Sequence, residues 1–186
     1  MGHCENNAAD RKVGEYWERQ FCDLATDHGR TITALQIGRK TSASAYHKQN
    51  GKWHHRTLPD VTVWTCPGEH HELKHKSPTR HGSIGLEVYR FDALEWFADE
   101  TQQGVWYTLH RWDRAPGGKG GHENRTEDWD TCSITKLRQA IEAGKCIERR
   151  GPSWVNGTKK DVPIYYWDAA LWMPLRDLWV PVGVPF

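Results

Sequence analysis

No run of about 18 apolar residues occurs in this 186-residue chain, so no transmembrane helix is expected. The opening segment MGHCENNAADRK is polar and lacks the apolar core of a secretory signal, and a cytoplasmic location is expected. No CxxC pair occurs. The five cysteines (Cys4, Cys22, Cys66, Cys132, Cys146) are odd in number and scattered, which argues against a disulfide framework or a cysteine-rich zinc site. Residues 115–124, APGGKGGHEN, are glycine-rich but lack the GxxxxGK[ST] pattern of a phosphate-cradling Walker loop. There is no internal repeat. Net charge is only +1, so the chain as a whole does not announce a polyanionic partner.

Aromatic residues, by contrast, are abundant. Mean hydropathy is low at -0.81, yet 11 Trp, 6 Tyr and 4 Phe are present, and disordered chains lack such residues. A single folded domain with aromatic-heavy packing follows. Charge is also unevenly distributed. Residues 39–81 hold eight Lys/Arg against three acids, together with seven of the 11 His, a composition that suits a phosphate-binding face or a solvated surface.

Residues 1–10 read as a loose tail. Val13, Trp17, Phe21 and Leu24 recur at helical spacing, which predicts a helix over 11–28, with Gly29 at its C-terminal cap. Strands are expected at 31–37, 61–64, 70–76, 105–112 and 162–167, with a hairpin over 42–58 around Asn50-Gly51. Helices are expected at 83–99 and 134–143, and a short helix capped by Asp168 that Pro174 breaks or restarts.

Placing 61–64 and 70–76 in an antiparallel hairpin sorts their side chains by parity. Val61, Val63 and Leu73 face a core, while Asp60, Glu72 and Lys74 converge on the other face. Two neighbouring carboxylates repel unless a cation joins them, and such an oxygen-rich pair suits Mg²⁺, with Mn²⁺ as a substitute. Lys74 sits where it can orient a water or stabilise charge on a phosphate.

Leu58-Pro59-Asp60 followed by Glu72-Leu73-Lys74 resembles the PD-(D/E)XK motif of restriction-endonuclease-like nucleases. The resemblance covers residues 11–112. It implies an α/β fold with an αβββαβ core, a central mixed sheet flanked by helices, followed here by a C-terminal α+β extension over 113–186. It also implies hydrolysis of DNA phosphodiesters by in-line attack of a Mg²⁺-activated water. Gly14-Glu15-Tyr16-Trp17-Glu18 resembles the family's GxxxE pattern and nominates Glu18 as an additional acid. The implied metal ligands are Asp60, Glu72, the Leu73 carbonyl and Glu18, with Lys40, Lys76 and Arg80 as DNA contacts. A homodimer and a bacterial or phage-encoded source fit the same resemblance. The Gln-x-x-x-Tyr pattern of the exonuclease-like branch is not matched, because Gly85 stands four residues before Tyr89.

Two other readings compete. His71-Glu72-Leu73-Lys74-His75 is also HExxH, extended to His81 with Pro78 where the zinc-protease pattern wants Gly, and with Met173 downstream. That chemistry requires a helix, but Leu73 is the only apolar residue between Gly68 and Lys76, and Pro78 cannot supply the positive φ of Gly. A non-cleaving DNA-binding protein on the same fold is the third reading, disfavoured by retention of Asp60, Glu72 and Lys74 together.

Overall fold

The apolar stripe of Val13, Trp17, Phe21 and Leu24 lies on one long helix, α1 (His3–Asp27), and faces the interior. In this computed structural model, which describes residues 3–34, 44–49, 52–64, 68–114, 125–155 and 158–179, α1 starts well before the expected Arg11. Helix formation is costly to nucleate and easy to extend, so the turns anchored by Trp17 and Phe21 carry the polar residues before them into the helix.

The strands follow as β1 (Thr31–Ala34), β2 (Ser44–Gln49), β3 (Lys52–Thr57), β4 (Val61–Trp64), β5 (Glu69–His75) and β6 (Ser83–Glu87). Then come α2 (Val88–Thr101), β7 (Gly104–His110), β8 (Trp129–Ser133), α3 (Ile134–Glu142), β9 (Cys146–Val155), β10 (Thr158–Asp168), β11 (Met173–Pro174) and the short α4 (Leu175–Leu178). A six-stranded sheet has the order β1-β4-β5-β7-β8-β11, antiparallel throughout except for the parallel β5–β7 pair. Taken with α1 and α2, strands β1, β4, β5 and β7 run in the expected αβββαβ order. The β2–β3 hairpin is inserted after β1 and β6 after β5. The fold is mixed α/β, a central mixed sheet flanked by helices.

Each face of that sheet has its own core. On one side Trp17, Phe21 and Leu24 of α1 pack on Val61, Val63 and Leu73, and are joined by Trp129, Leu175 and Trp179. On the other, Phe91 and Leu94 of α2 and Ile134 and Leu137 of α3 pack on Val105, Tyr107 and Leu109. Both β8 and β11 pair directly onto this sheet, so the segment after residue 112 builds part of its edge. A second sheet, β6-β10-β9, contributes Ile84, Leu86 and Trp167 to the α2-side core.

One expected element divides in two. The helix expected over 83–99 begins only at Val88, and Ser83–Glu87 is a strand paired with β10. Ile84, Leu86 and Val88 alternate as a strand does, and the pairing partner lies about 80 residues away in sequence, where local periodicity has no sight of it. The helix over 134–142 forms as expected: the Ser133 hydroxyl accepts from the Lys136 amide, and Gly144 (φ 67°) takes the left-handed position that ends it. The Asn50-Gly51 turn, part of the strand expected over 31–37 and the 115–124 loop lie outside the described residues.

Phe21 is fully buried and its ring meets His71, Trp129 and Trp179 at 5.1–5.4 Å. Phe21→Ala is expected to lower unfolding free energy by about 3–5 kcal/mol in a denaturant titration. A loss below ~1 kcal/mol would mean that α1 is not seated on the sheet.

Candidate active site

The β4–β5 hairpin places the expected trio together. The register pairs Val61 with His71 and Thr62 with His70, and the Asp60 amide continues the ladder by donating to the His71 carbonyl at 2.9 Å. Side-chain alternation then sends Val61, Val63 and Leu73 to the α1 core and Asp60, Glu72 and Lys74 to the α2 side. Asp60 is 6% exposed and Glu72 is 0% exposed.

Two cations hold these acids. Lys74 Nζ lies 2.6 Å from Glu72 Oε1 and 4.0 Å from Asp60 Oδ2. From the first turns of α2, the Arg90 guanidinium bonds Glu72 Oε2 and lies 3.8 Å from Asp60 Oδ1. The same guanidinium also donates to the Leu58 carbonyl at 3.3 Å, which fixes it over the strand entering the site. The Leu73 amide donates to Asp60 Oδ2 at 2.8 Å. Leu73 thus engages the site through its N–H.

The electrostatics follow from burial and these partners. Burial pushes the Asp60 carboxyl upward and Glu72 adds to it. Lys74 and Arg90 offset only part, so it sits at about 7. Burial would raise Glu72 too, but Arg90 and then Lys74 outweigh it and hold that carboxyl at about 2. Burial works against the charged form of Lys74, yet Glu72 and Asp60 overcome it and raise its pKa. The cluster therefore keeps one carboxylate firmly ionised beside one that retains a proton near neutrality.

The remaining expected residues are placed less uniformly. Glu18 on α1 is half-buried and feels Lys74, Glu72 and Arg90, with burial raising its pKa first of all. It does not complete a ligand set: among the described residues no three His, Cys, Asp or Glu side chains are grouped to hold a metal. Both oxygens of Glu72 accept from a cation, Oε1 from Lys74 and Oε2 from Arg90, and each keeps a further lone pair. Lys76 is turned inward, donating from Nζ to the Gly85 carbonyl at 2.7 Å. Arg80 is exposed and donates from Nε to His81 Nε2 at 3.0 Å. Lys40 lies outside the described residues.

The zinc reading fails on geometry. Residues 69–75 form a strand, so His71 and His75 stand about 13 Å apart along it, with Glu72 on the opposite face. His71 is buried and bonds Thr108 Oγ1 at 2.8 Å; His81 is exposed on the surface. His75 and His110 stack on Trp17, and burial with the neighbouring His75 pushes His110 down to about 3. These rings belong to the core.

Arg90 is not among the residues nominated from the sequence. Its only sequence signal is a basic residue near the start of the helix after the ExK strand, and the docking of α2 converts that into contact with both acids. Arg90→Met strands a fully buried carboxylate and is expected to cost about 3–5 kcal/mol of stability. Adding Glu72→Met should recover most of that loss, since Lys74 and Asp60, 4.0 Å apart, remain as a pair. A double variant as unstable as the single one would show that the pair is not the cause.

No protein-family model matches the chain, and no curated protein matches it. Among solved structures, the chain is similar to Hjc, a Holliday junction resolvase from the archaeal hyperthermophile Archaeoglobus fulgidus. That similarity has 10% sequence identity and a TM-score of 0.47, covering 88% of this chain and 97% of that one. It is a likeness of outline, and the function proposed below stands on this chain's own residues.

Proposed function

We propose that the chain is a Mg²⁺-dependent nuclease that hydrolyses DNA phosphodiester bonds at Asp60, Glu72 and Lys74. The observation that carries this reading is the convergence of two buried carboxylates within reach of the same ammonium and the same guanidinium. Structural ion pairs do not require two acids on one spot, and burying them together is costly. Active sites tolerate such arrangements because the charges are used.

The donor set fits a hard divalent ion. Asp60 and Glu72 offer carboxylate oxygens, the ligands Mg²⁺ and Mn²⁺ prefer. Among the described residues Asp60 Oδ1 is approached by Arg90 at 3.8 Å, and the carboxyl's pKa is raised first by burial and then by Glu72. Asp60 and Glu72 would hold the ion. When bound, the ion polarises a phosphodiester and makes a water more acidic.

The chain's own groups do the positioning. Lys74, fixed by Glu72 and partly open to solvent, presents ammonium donors to the attacking water or to a non-bridging phosphate oxygen. The Leu73 amide locks Asp60 in one orientation. Arg90 keeps Glu72 ionised and adds a second positive group where a phosphate would carry charge.

Cleavage of end-labelled DNA is expected to require Mg²⁺ or Mn²⁺ and to stop in EDTA. Asp60→Ala, Glu72→Ala and Lys74→Ala should each lower the rate by about 10²–10³-fold. Their folding would be checked by circular dichroism. Salt-sensitive DNA binding with no cleavage under any divalent ion would instead identify a non-cleaving DNA-binding protein.

A further inference from the structure

Beside the Asp60–Glu72–Lys74 cluster lies a cavity of about 230 Å³ that the cleavage chemistry does not use. It is bounded by Lys76, Ser77, Thr79, Ser83, Glu87 and Tyr166, and so is built where β5 and β6 meet the β10 strand of the C-terminal segment. Its floor is cleared by a missing side chain. A Cβ on Gly85 would sit 2.8 Å from Tyr166 Cε1 and 3.1 Å from Ile164 Cγ2, so only glycine allows the Tyr166 ring to lie against the neighbouring strand. Gly151, on the other side of β10, likewise leaves room for Ile164.

The lining mixes three kinds of group. Lys76 lines the cavity, and the bond of its ammonium to the Gly85 carbonyl uses only one of three donors. Glu87 accepts from the Ser153 hydroxyl through Oε1 at 2.8 Å and retains Oε2 as an acceptor. Thr79 Oγ1 accepts from the His81 and Ser83 amides at 3.3 Å and shares a 2.8 Å bond with the Ser83 hydroxyl, which keeps a lone pair free. A cation, a carboxylate acceptor and hydroxyls around an aromatic ring match a phosphate, a base-edge amine and a base face.

Position ties the cavity to the cut. Lys74 lies on β5 and Lys76 directly follows its end, where its amide still donates to the His110 carbonyl, so the two keep one parity with Cα atoms about 6.6 Å apart. That step is comparable to the one between consecutive phosphates of an extended strand. With Lys74 at the scissile phosphate, Lys76 meets the next one, and the intervening nucleotide falls against Tyr166. The volume is below the roughly 300 Å³ at which pockets begin to hold drug-sized ligands, so it can take the base of one nucleotide and excludes a base pair.

We propose that this cavity takes one unpaired, unstacked nucleotide adjacent to the scissile phosphate, so that the substrate is DNA with a single-stranded nucleotide at the cleavage position. The assignment rests on the nuclease reading of the neighbouring cluster. Base stacking on an aromatic side chain is a sequence-tolerant source of affinity, and an already unpaired base avoids the cost of extrusion.

The test uses the full chain in EDTA, with two synthetic duplexes differing only in one unpaired thymidine, replaced by 5-iodouracil as a photo-crosslinker. Expected are a cross-link mapped to Tyr166 with the unpaired probe and roughly tenfold tighter binding of it over the fully paired duplex. Tyr166→Ala should abolish both, and Tyr166→Phe should retain both. Equal cross-linking of the paired duplex, cross-links away from the cavity, or a preference unchanged in Tyr166→Ala would overturn the proposal. Because no divalent ion is present, these readouts stand apart from cleavage. An absence of cutting in Mg²⁺ would remove the nuclease reading and leave the nucleotide site in place.

Discussion

Everything at this site depends on how two carboxylates are kept out of water side by side. Asp60 and Glu72 are almost completely buried, and each would abandon its charge if left alone. Arg90 and Lys74 prevent that for Glu72 and only partly for Asp60. The requirement propagates outward. β5 must pair with β4 in one register, α2 must dock so that Arg90 reaches over Leu58, and the Leu73 amide must be free to serve Asp60. The two hydrophobic cores hold those elements in place, and the charged cluster is where their positions are read out.

The β4–β5 hairpin was legible because strand periodicity is two and the residues are close in sequence. Asp60, Glu72 and Lys74 share parity, and that alone puts them on one face. Arg90 was not legible in the same way. Its contact depends on where a helix lands on a sheet, a relation between elements distant in sequence. The same reason explains Ser83–Glu87, whose strand identity is set by pairing with β10. It also explains the basic segment: Lys74 and Lys76 count as surface charge in a composition, yet the structure turns both toward internal partners. His71 and His75, which imitate the start of a zinc motif, pack against Phe21 and Trp17 for want of a helix.

Gly85 shows how a departure from a familiar pattern can carry information. Four residues before Tyr89, it reads as a lost glutamine only if both residues lie on one helix. They do not: Gly85 is in β6 and Tyr89 begins α2. In its true setting the residue faces Tyr166 across a strand pair, and the close approach of that ring leaves space for nothing larger. The C-terminal segment, silent in sequence, thereby becomes a wall of the region around the cluster.

Strand β5 finally explains why the arrangement is hard to alter piecemeal. Its odd positions, Glu69, His71, Leu73 and His75, face the α1 side, where His71 meets Phe21 and His75 stacks with Trp17. Its even positions, His70, Glu72 and Lys74, face α2, and Lys76 just beyond its end keeps the same parity. A slip of one residue would exchange the sets, sending Glu72 and Lys74 into aromatic rings and Leu73 into the charged cluster. The parallel ladder to β7 and the antiparallel ladder to β4 both oppose that slip. Apolar patterning on one face thus secures the register that the chemistry needs on the other, and the fold's stability and the site's geometry are two consequences of one alternation.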